Sequence, residues 1–290
     1  MQRLQHFGSG FGVCAHLAWQ IAFYLVALVF LIAISFWTIS NYQLTPAFTL
    51  DNYYRILGKG RYLEAAEASL KLAVLTAVMA VALAVPVAHT VAFHLRGRLR
   101  HLVLFLLFLP FLSSYIVRMF AWQLVLSDQG IVAWIVRASG SAGPVRLLFT
   151  ETAVVIGLLS ILIPIASLMI LLSLMRLDKS LIMAARNLGA SSWQVFIRIQ
   201  LPFAMSGILV GLLFCFIITF GDFTCSSILG GNQIYYLSIA IEDRAKINDW
   251  PAAAVLGTLL LIISLSVVTI LFGCVSRLPA IGGTLSRGHS

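Results

Sequence analysis

"MAARNLGASSWQVFIRIQLP", residues 183–202, lies between two long apolar stretches and is unlike both. It carries Arg186, Arg198, a central Gly189 and a terminal Pro202. Upstream, Asp178 has the side chain to cap a helix that begins at Lys179. Leu181, Ile182, Ala185 and Leu188 then recur at helical spacing and predict one apolar stripe over about three turns. Gly189 stands where a helix end calls for a left-handed residue. Ser191, with Gln194 three residues on, has the pattern of a capping box, in which side chain and backbone cap each other. Val195, Phe196 and Ile199 extend a second helix, and Pro202 opens the next apolar run. Segment 176–202 therefore reads as a helix, a glycine-hinged turn and another helix, tied at both ends to greasy chain: a rigid knob.

The knob's setting is a membrane. Of the 290 residues, 61% are hydrophobic and only 10% charged, with a mean hydropathy of +1.01, whereas soluble domains carry about 25% charged residues. Six stretches are long enough to cross about 30 Å of hydrocarbon as helices: 17–37, 72–93, 102–126, 154–175, 203–220 and 252–276. They are continuous rather than alternating, which excludes a β-barrel. The first is too long for a signal-peptide core and has no small-x-small cleavage site. No soluble domain or internal repeat is visible, so 1–290 is expected to be a single all-α membrane domain.

Charge sets the expected orientation. The net +9 could suggest nucleic acid, but its distribution matters more. With the N-terminus inside, segments 1–16, 94–101, 176–202 and 277–290 hold ten Lys/Arg and one acid, Asp178. The loop "HLRGRLRH" (94–101) supplies Arg96, Arg98 and Arg100, most of the positive-inside signal. Both termini are accordingly expected in the cytoplasm. The outer loops are expected to hold a short amphipathic helix before the second span, a break at Gly140, Gly143 and Pro144, and the stretch from Asp222 to Pro251.

Several chemistries are missing. Cys14, Cys215, Cys225 and Cys274 have neither zinc nor disulfide spacing. "LGKGRY" and "LGGNQI" lack the spacing and Lys-Ser/Thr end of a phosphate-binding loop. No nucleophile–base arrangement occurs, and His89 and His94 read as an interfacial polar cap. Arg118 is the one charge inside a span. Sixteen uncharged residues precede it from Leu102, about 24 Å of helix, so it is expected near the outer interface, either snorkelling or joining Trp122 and Asp222 in a translocation path or outer gate. Asp222, Glu242, Asp243 and Asp249 would suit a cationic solute near the outer entrance, and solvated loop charges explain them as well.

Three readings of the knob compete. A DNA-reading helix-turn-helix has this outline, but its tethers are too short for a major groove. An interfacial hairpin would lie on lipid headgroups through Trp193 and Phe196. A docking element would meet a cytoplasmic partner. Here the sequence resembles import-type ABC transporter permeases, whose motif is Glu-Ala-Ala, three residues, Gly, nine residues, Ile, one residue, Leu-Pro. Ala184, Ala185, Gly189, Ile199, Leu201 and Pro202 fall in register, with Met183 where the family usually has Glu. "ISFW", "FTLDNYYRIL", "LPFLSSYIVRMFAWQLVLSDQG", "RLDKSLIMAARNLGAS", "GDFTCSSILGG" and "INDWPAAA" resemble the first permease subunit of spermidine/putrescine-type importers.

That resemblance implies a type I ABC importer permease fold and a bacterial inner-membrane pore subunit that is not itself an enzyme. It implies that Met183, Ala184, Ala185, Leu188, Gly189, Ala190 and Pro202 belong to a coupling element seated on an ABC ATPase homodimer. It further implies a second permease completing a heterodimeric pore, a periplasmic solute-binding protein, and ATP and Mg held by the ATPase, with no cofactor or metal on this chain. Membrane lipid is the remaining partner, and nucleic acid is not one. The alternatives are an ion-coupled secondary transporter, which no Asp or Glu inside the six spans favours, and a membrane enzyme without a catalytic constellation.

Overall fold

A computed structural model describes residues 2–40, 43–139 and 146–276, and the side chains among these of His16 and of Ala18 to Gly273. In chain order the elements are α1 (Gln2–Ser35), β1 (Thr38–Ser40), β2 (Gln43–Thr45), α2 (Asp51–Leu57), α3 (Gly60–Phe93), α4 (Gly97–Phe108), α5 (Tyr115–Leu126) and α6 (Ile131–Ala138). There follow α7 (Glu151–Leu174), α8 (Lys179–Asn187), α9 (Ser192–Val195), α10 (Leu201–Phe220), α11 (Thr224–Gly230), α12 (Leu237–Lys246) and α13 (Trp250–Ser276). The strands form one small antiparallel hairpin, Ile39 opposite Leu44, in an otherwise helical chain.

Six stretches are long and apolar enough to cross a bilayer: Ala18–Ser35, Gly60–Phe93, Tyr115–Ala138, Glu151–Leu174, Ser192–Phe220 and Trp250–Gly273. The second begins well before residue 72, because the helix continues into charged sequence, where Lys71 and Glu67 pair one turn apart at 2.6 Å. The third departs most from the sequence reading. A single helix over 102–126 is replaced by α4, a 3-10 turn at Leu109–Leu112, and α5. Pro110 cannot donate to the helical ladder and its ring crowds the preceding turn, and Ser113 follows in extended conformation. By length and apolar composition alone the third candidate falls on α5 with α6. Yet α5 begins with Tyr115 held against Asp222, just past the end of α10, so α4 and the 3-10 turn cover the distance from the α3–α4 turn. The expected loop break at Gly140, Gly143 and Pro144 lies outside the described residues.

The chain divides into two compact units: residues up to Glu64 with Ala240–Ile262, and Ala65–Ile239 with the stretch from Ile263 on. In the first unit, Asn52 donates to the carbonyls of Ser35 and Trp37 (3.0 and 2.7 Å), fixing α2 beneath the end of α1. Asp249 holds Arg55 at 3.2 Å and Arg244 at 3.5 Å, and Arg244 Nε also donates to Tyr62 at 2.9 Å.

The second unit is centred on α7 and α10. In lipid, small residues let helix backbones approach, and Gly207 and Gly211, spaced G-x-x-x-G, do so here. A methyl on Gly207 would stand 2.6 Å from the Met169 carbonyl and one on Gly211 3.4 Å from Ala166 Cα. Ser173 Oγ donates to the Phe203 carbonyl at 2.8 Å and lies 2.6 Å from Ser206 Oγ. Thr76 donates to Thr219 at 3.1 Å in the buried core, joining α3 to α10.

Candidate functional site

The knob forms through local hydrogen bonds. Asp178 Oδ1 accepts from Ser180 N at 2.9 Å and caps α8. Its hydrogen bonds from the Ser180 side chain and backbone hold its carboxyl below the usual range. At the other end Gly189 is left-handed, φ 85°. The Gly189 N–H donates to Arg186 O (2.9 Å) and the Ala190 N–H to Ala185 O (3.0 Å), the paired bonds of a Schellman C-cap. The capping box is complete: Ser191 Oγ accepts from Gln194 N (3.3 Å), and Gln194 Oε1 accepts from Ser191 N (2.9 Å).

Which face of α8 points out corrects the stripe expected from sequence. Ile182 is buried with Leu177 and Val195, and Ala185, Ala190, Ile199 and Phe93 pack on that cluster. Phe93, the last residue of α3, is thus the floor on which the knob rests. The exposed apolar face is instead Leu181, Ala184 and Leu188, one helical stripe, with Met183 beside it. Leu188 is 89% exposed, Met183 60% and Trp193 68%. Ala185 and Ala190 therefore pack inward, while Leu181, Met183, Ala184 and Leu188 are exposed.

The second helix does not stop at Pro202. After α9 the chain makes one π-helical turn, Phe196–Gln200, and enters α10 directly. Proline lacks an N–H and its ring crowds the carbonyl four residues back, and the widened turn sits where that crowding would fall. Trp193 stacks on Phe196 at 5.7 Å, and His89 meets Gln200 at 2.8 Å, tying this turn to α3.

At the other site, the break in the third stretch changes the role of Arg118. Its Nη2 donates to the carbonyl of Pro110, and to the carbonyl and hydroxyl of Ser113 at 3.3 and 3.2 Å. The guanidinium satisfies acceptors that the interrupted helix leaves open. Among the described residues it makes no ion pair with Asp222. Asp222 is engaged elsewhere. Oδ1 accepts from the Tyr115 hydroxyl at 2.6 Å, and Oδ2 from the backbone N–H groups of Cys225 (2.9 Å) and Ser226 (3.3 Å) at the start of α11. Burial pushes the Asp222 carboxyl up, and these three bonds oppose it. Trp122 is half-buried on α5. Arg118 and Asp222 thus sit in two different hydrogen-bond arrangements, both reached from α5, and Tyr115 is the member the sequence did not reveal.

The other acids are largely accounted for. Asp249 is held by two arginines, and Glu242 pairs with Lys246 at 2.8 Å. Among the described residues no group of three His, Cys, Asp or Glu could hold a metal ion. Cys215 and Cys225 are free thiols in the interior.

Comparison with known proteins places this geometry in a family. Residues 74–278 match the family described as binding-protein-dependent transport system inner membrane component. The chain is 34% identical over 263 residues to the spermidine/putrescine transport system permease protein PotB of Salmonella typhimurium (strain LT2), covering 90% of this chain and 91% of the relative. It is 34% identical to the PotB of Escherichia coli (strain K12), covering 84% and 90%. It is 28% identical to the inner membrane ABC transporter permease protein YdcU of the same strain, covering 82% and 80%. The crystal structure of a bacterial ABC transporter importing the acidic polysaccharide alginate shares the fold, with a TM-score of 0.78, 17% identity, and 91% and 93% of the two chains covered. The ion-coupled and enzymatic readings find no support among these relatives. The chain belongs to the binding-protein-dependent transport system inner membrane component family, as a multi-pass membrane pore subunit of an ABC importer that works with an ATPase and a solute-binding protein.

Proposed function

We propose that this permease moves a polyamine, or a related small organic cation, from periplasm to cytoplasm as one half of a heterodimeric pore. Both termini lie in the cytoplasm, as the basic 94–101 loop favours. The knob docks in a groove of an ATPase homodimer that binds ATP and Mg, and a periplasmic binding protein delivers the solute. ATP-driven closure of the ATPase pair then shifts the knob, and the attached helices move as rigid bodies between inward- and outward-open arrangements. The substrate class rests on the spermidine/putrescine permeases at 34% identity.

The observation that carries the coupling role is the exposed stripe Leu181, Ala184 and Leu188 on a short helix capped at both ends. A preorganised apolar ridge loses little conformational freedom on docking. The interfacial-hairpin reading uses Trp193 and leaves the Leu181–Ala184–Leu188 face without a role. The test is transport in proteoliposomes holding this chain, its second permease and the ATPase, with binding protein outside. ATP-dependent uptake of labelled spermidine or putrescine is expected. Uptake driven by an ion gradient without ATP overturns the mechanism, and ATP-dependent uptake of only a different solute overturns the substrate class.

A further inference from the structure

A cavity of about 870 Å³ opens between the α3–α4 turn and the knob. Arg96 and Arg100 line it from one side, Lys179 and Arg186 from α8 on the other. Among the described residues none of these four cations has a carboxylate partner, and no Asp or Glu lines the cavity. Four like charges converging without counter-charge repel one another, a cost that an anion in their midst would reverse. Besides polar members such as His89, His101 and Gln200, the wall has an apolar side, with Phe93, Leu104, Ile182 and Phe196 among its members. Its height in the bilayer follows from the chain: it sits where α3 ends its apolar run and where α10 begins. That is the level of the phospholipid headgroups.

We infer that this cavity holds the headgroup of an anionic phospholipid, with its phosphate among Arg96, Arg100, Lys179 and Arg186 and its upper acyl segment against Phe93 and Phe196. A soluble phosphate would use the cations and leave the apolar wall uncovered, whereas a lipid uses both. Basic pockets between transmembrane helices are suited to such headgroups. The site spans the knob and the helix on which the knob rests, so bound lipid bridges the two. The inference holds whichever solute crosses.

The test uses the full chain in nanodiscs of phosphatidylethanolamine, with or without a minor share of phosphatidylglycerol. Retained phosphatidylglycerol is read by native mass spectrometry after gentle extraction, with and without the co-expressed ATPase. Each basic side chain near an anionic lipid is worth about fivefold in affinity, so Arg96→Gln with Arg100→Gln is expected to weaken retention about thirtyfold. Lys179→Gln with Arg186→Gln, on the opposite wall, is expected to do the same while leaving the 94–101 loop charge intact. This second pair keeps the test decisive if the first inserts badly. Arg98→Gln removes one positive charge from the same loop but none from the cavity, and is expected to leave retention unchanged rather than to lower it about fivefold. Equal losses in Arg98→Gln would reduce the effect to general surface charge and overturn the site. Displacement of the lipid by excess inorganic phosphate would make it a soluble-anion site, and loss of lipid once the ATPase is bound would assign the cavity to that subunit. Either outcome overturns the lipid assignment.

Discussion

Tyr115 donates its hydroxyl to Asp222 Oδ1 across 2.6 Å, although the two are 107 residues apart in the chain. Tyr115 opens the helix that follows the Pro110 break, and Asp222 stands two residues before α11, so one hydrogen bond joins two restarts of the backbone. Asp222 also caps α11 through two N–H groups. Removing the phenol therefore leaves a buried carboxyl with only part of its partners.

Tyr115→Phe is expected to cost about 1.5–3 kcal/mol of stability, the range for a hydrogen bond to a charged group. Asp222→Ala should cost more, since α11 loses its cap as well. Thermal unfolding of the solubilised protein measures both, and the double variant should fall well short of the sum. Strict additivity would show that the bond does no work.

Docking is separable from folding on the two faces of α8. Leu188→Glu and Ala184→Glu should fold normally yet retain the ATPase at least about tenfold less well. Ile182→Glu and Ala185→Glu strike the cluster on Phe93 and should lower the amount of folded permease itself. Met183→Glu, on exposed surface, should be tolerated. ATPase pull-down normalised to folded permease distinguishes these, and undiminished retention in Leu188→Glu would remove the coupling role.

Gly189 is a pure test of backbone conformation, because nothing lies within 4 Å of a Cβ placed there. Gly189→Val should cost about 1–3 kcal/mol through its left-handed φ alone, and Gly189→Asn much less. Similar losses in both would point to a contact rather than to strain.

Gly207→Ala should destabilise the α7–α10 pair by about 1–3 kcal/mol, as overpacking does, because its methyl meets the Met169 carbonyl. Gly211→Ala has 3.4 Å to its nearest neighbour and should be nearly neutral. Fluorescence-detected size exclusion after graded heating gives the ranking, and a reversed order would contradict the packing.

Orientation is tested by impermeant thiol labelling of intact spheroplasts. Native Cys225 is buried and unsuited as a reporter, so Gln129→Cys and Ser192→Cys, both at exposed positions, take its place. Labelling of the first and protection of the second is expected, and the converse would invert the topology.

What was legible in the sequence was what the backbone settles within a few residues. The Asp178 cap, the Gly189 hinge and the Ser191–Gln194 box are contacts spanning two to five positions, and each formed as read. The facing of α8 was not, because the helix carries two apolar stripes and the covered one is set by packing on other elements, Val195 and Phe93 (about ninety residues earlier) among them. "LPFLSS" held a visible signal for the break, Pro110 followed by two serines, but the apolar run around it argued for continuity. Arg118 was consequently read as snorkelling or as part of an outer gate, when it donates to the carbonyls of that break. The G-x-x-x-G spacing of Gly207 and Gly211 was a signal that the sequence reading passed over. Tyr115 was not, since its partner lies on another helix.

The uninterrupted run from Ser192 to Phe220 makes the knob one end of a strut. Its 29 residues extend about 44 Å at 1.5 Å per residue, and no loop intervenes to absorb displacement. A push at Trp193 is thus delivered, undamped by slack chain, two residues short of Asp222. The π turn at Phe196–Gln200, held against His89, is the departure from α geometry in this strut, so under the proposed coupling tilt would enter near the knob and the remainder would swing as a single lever arm.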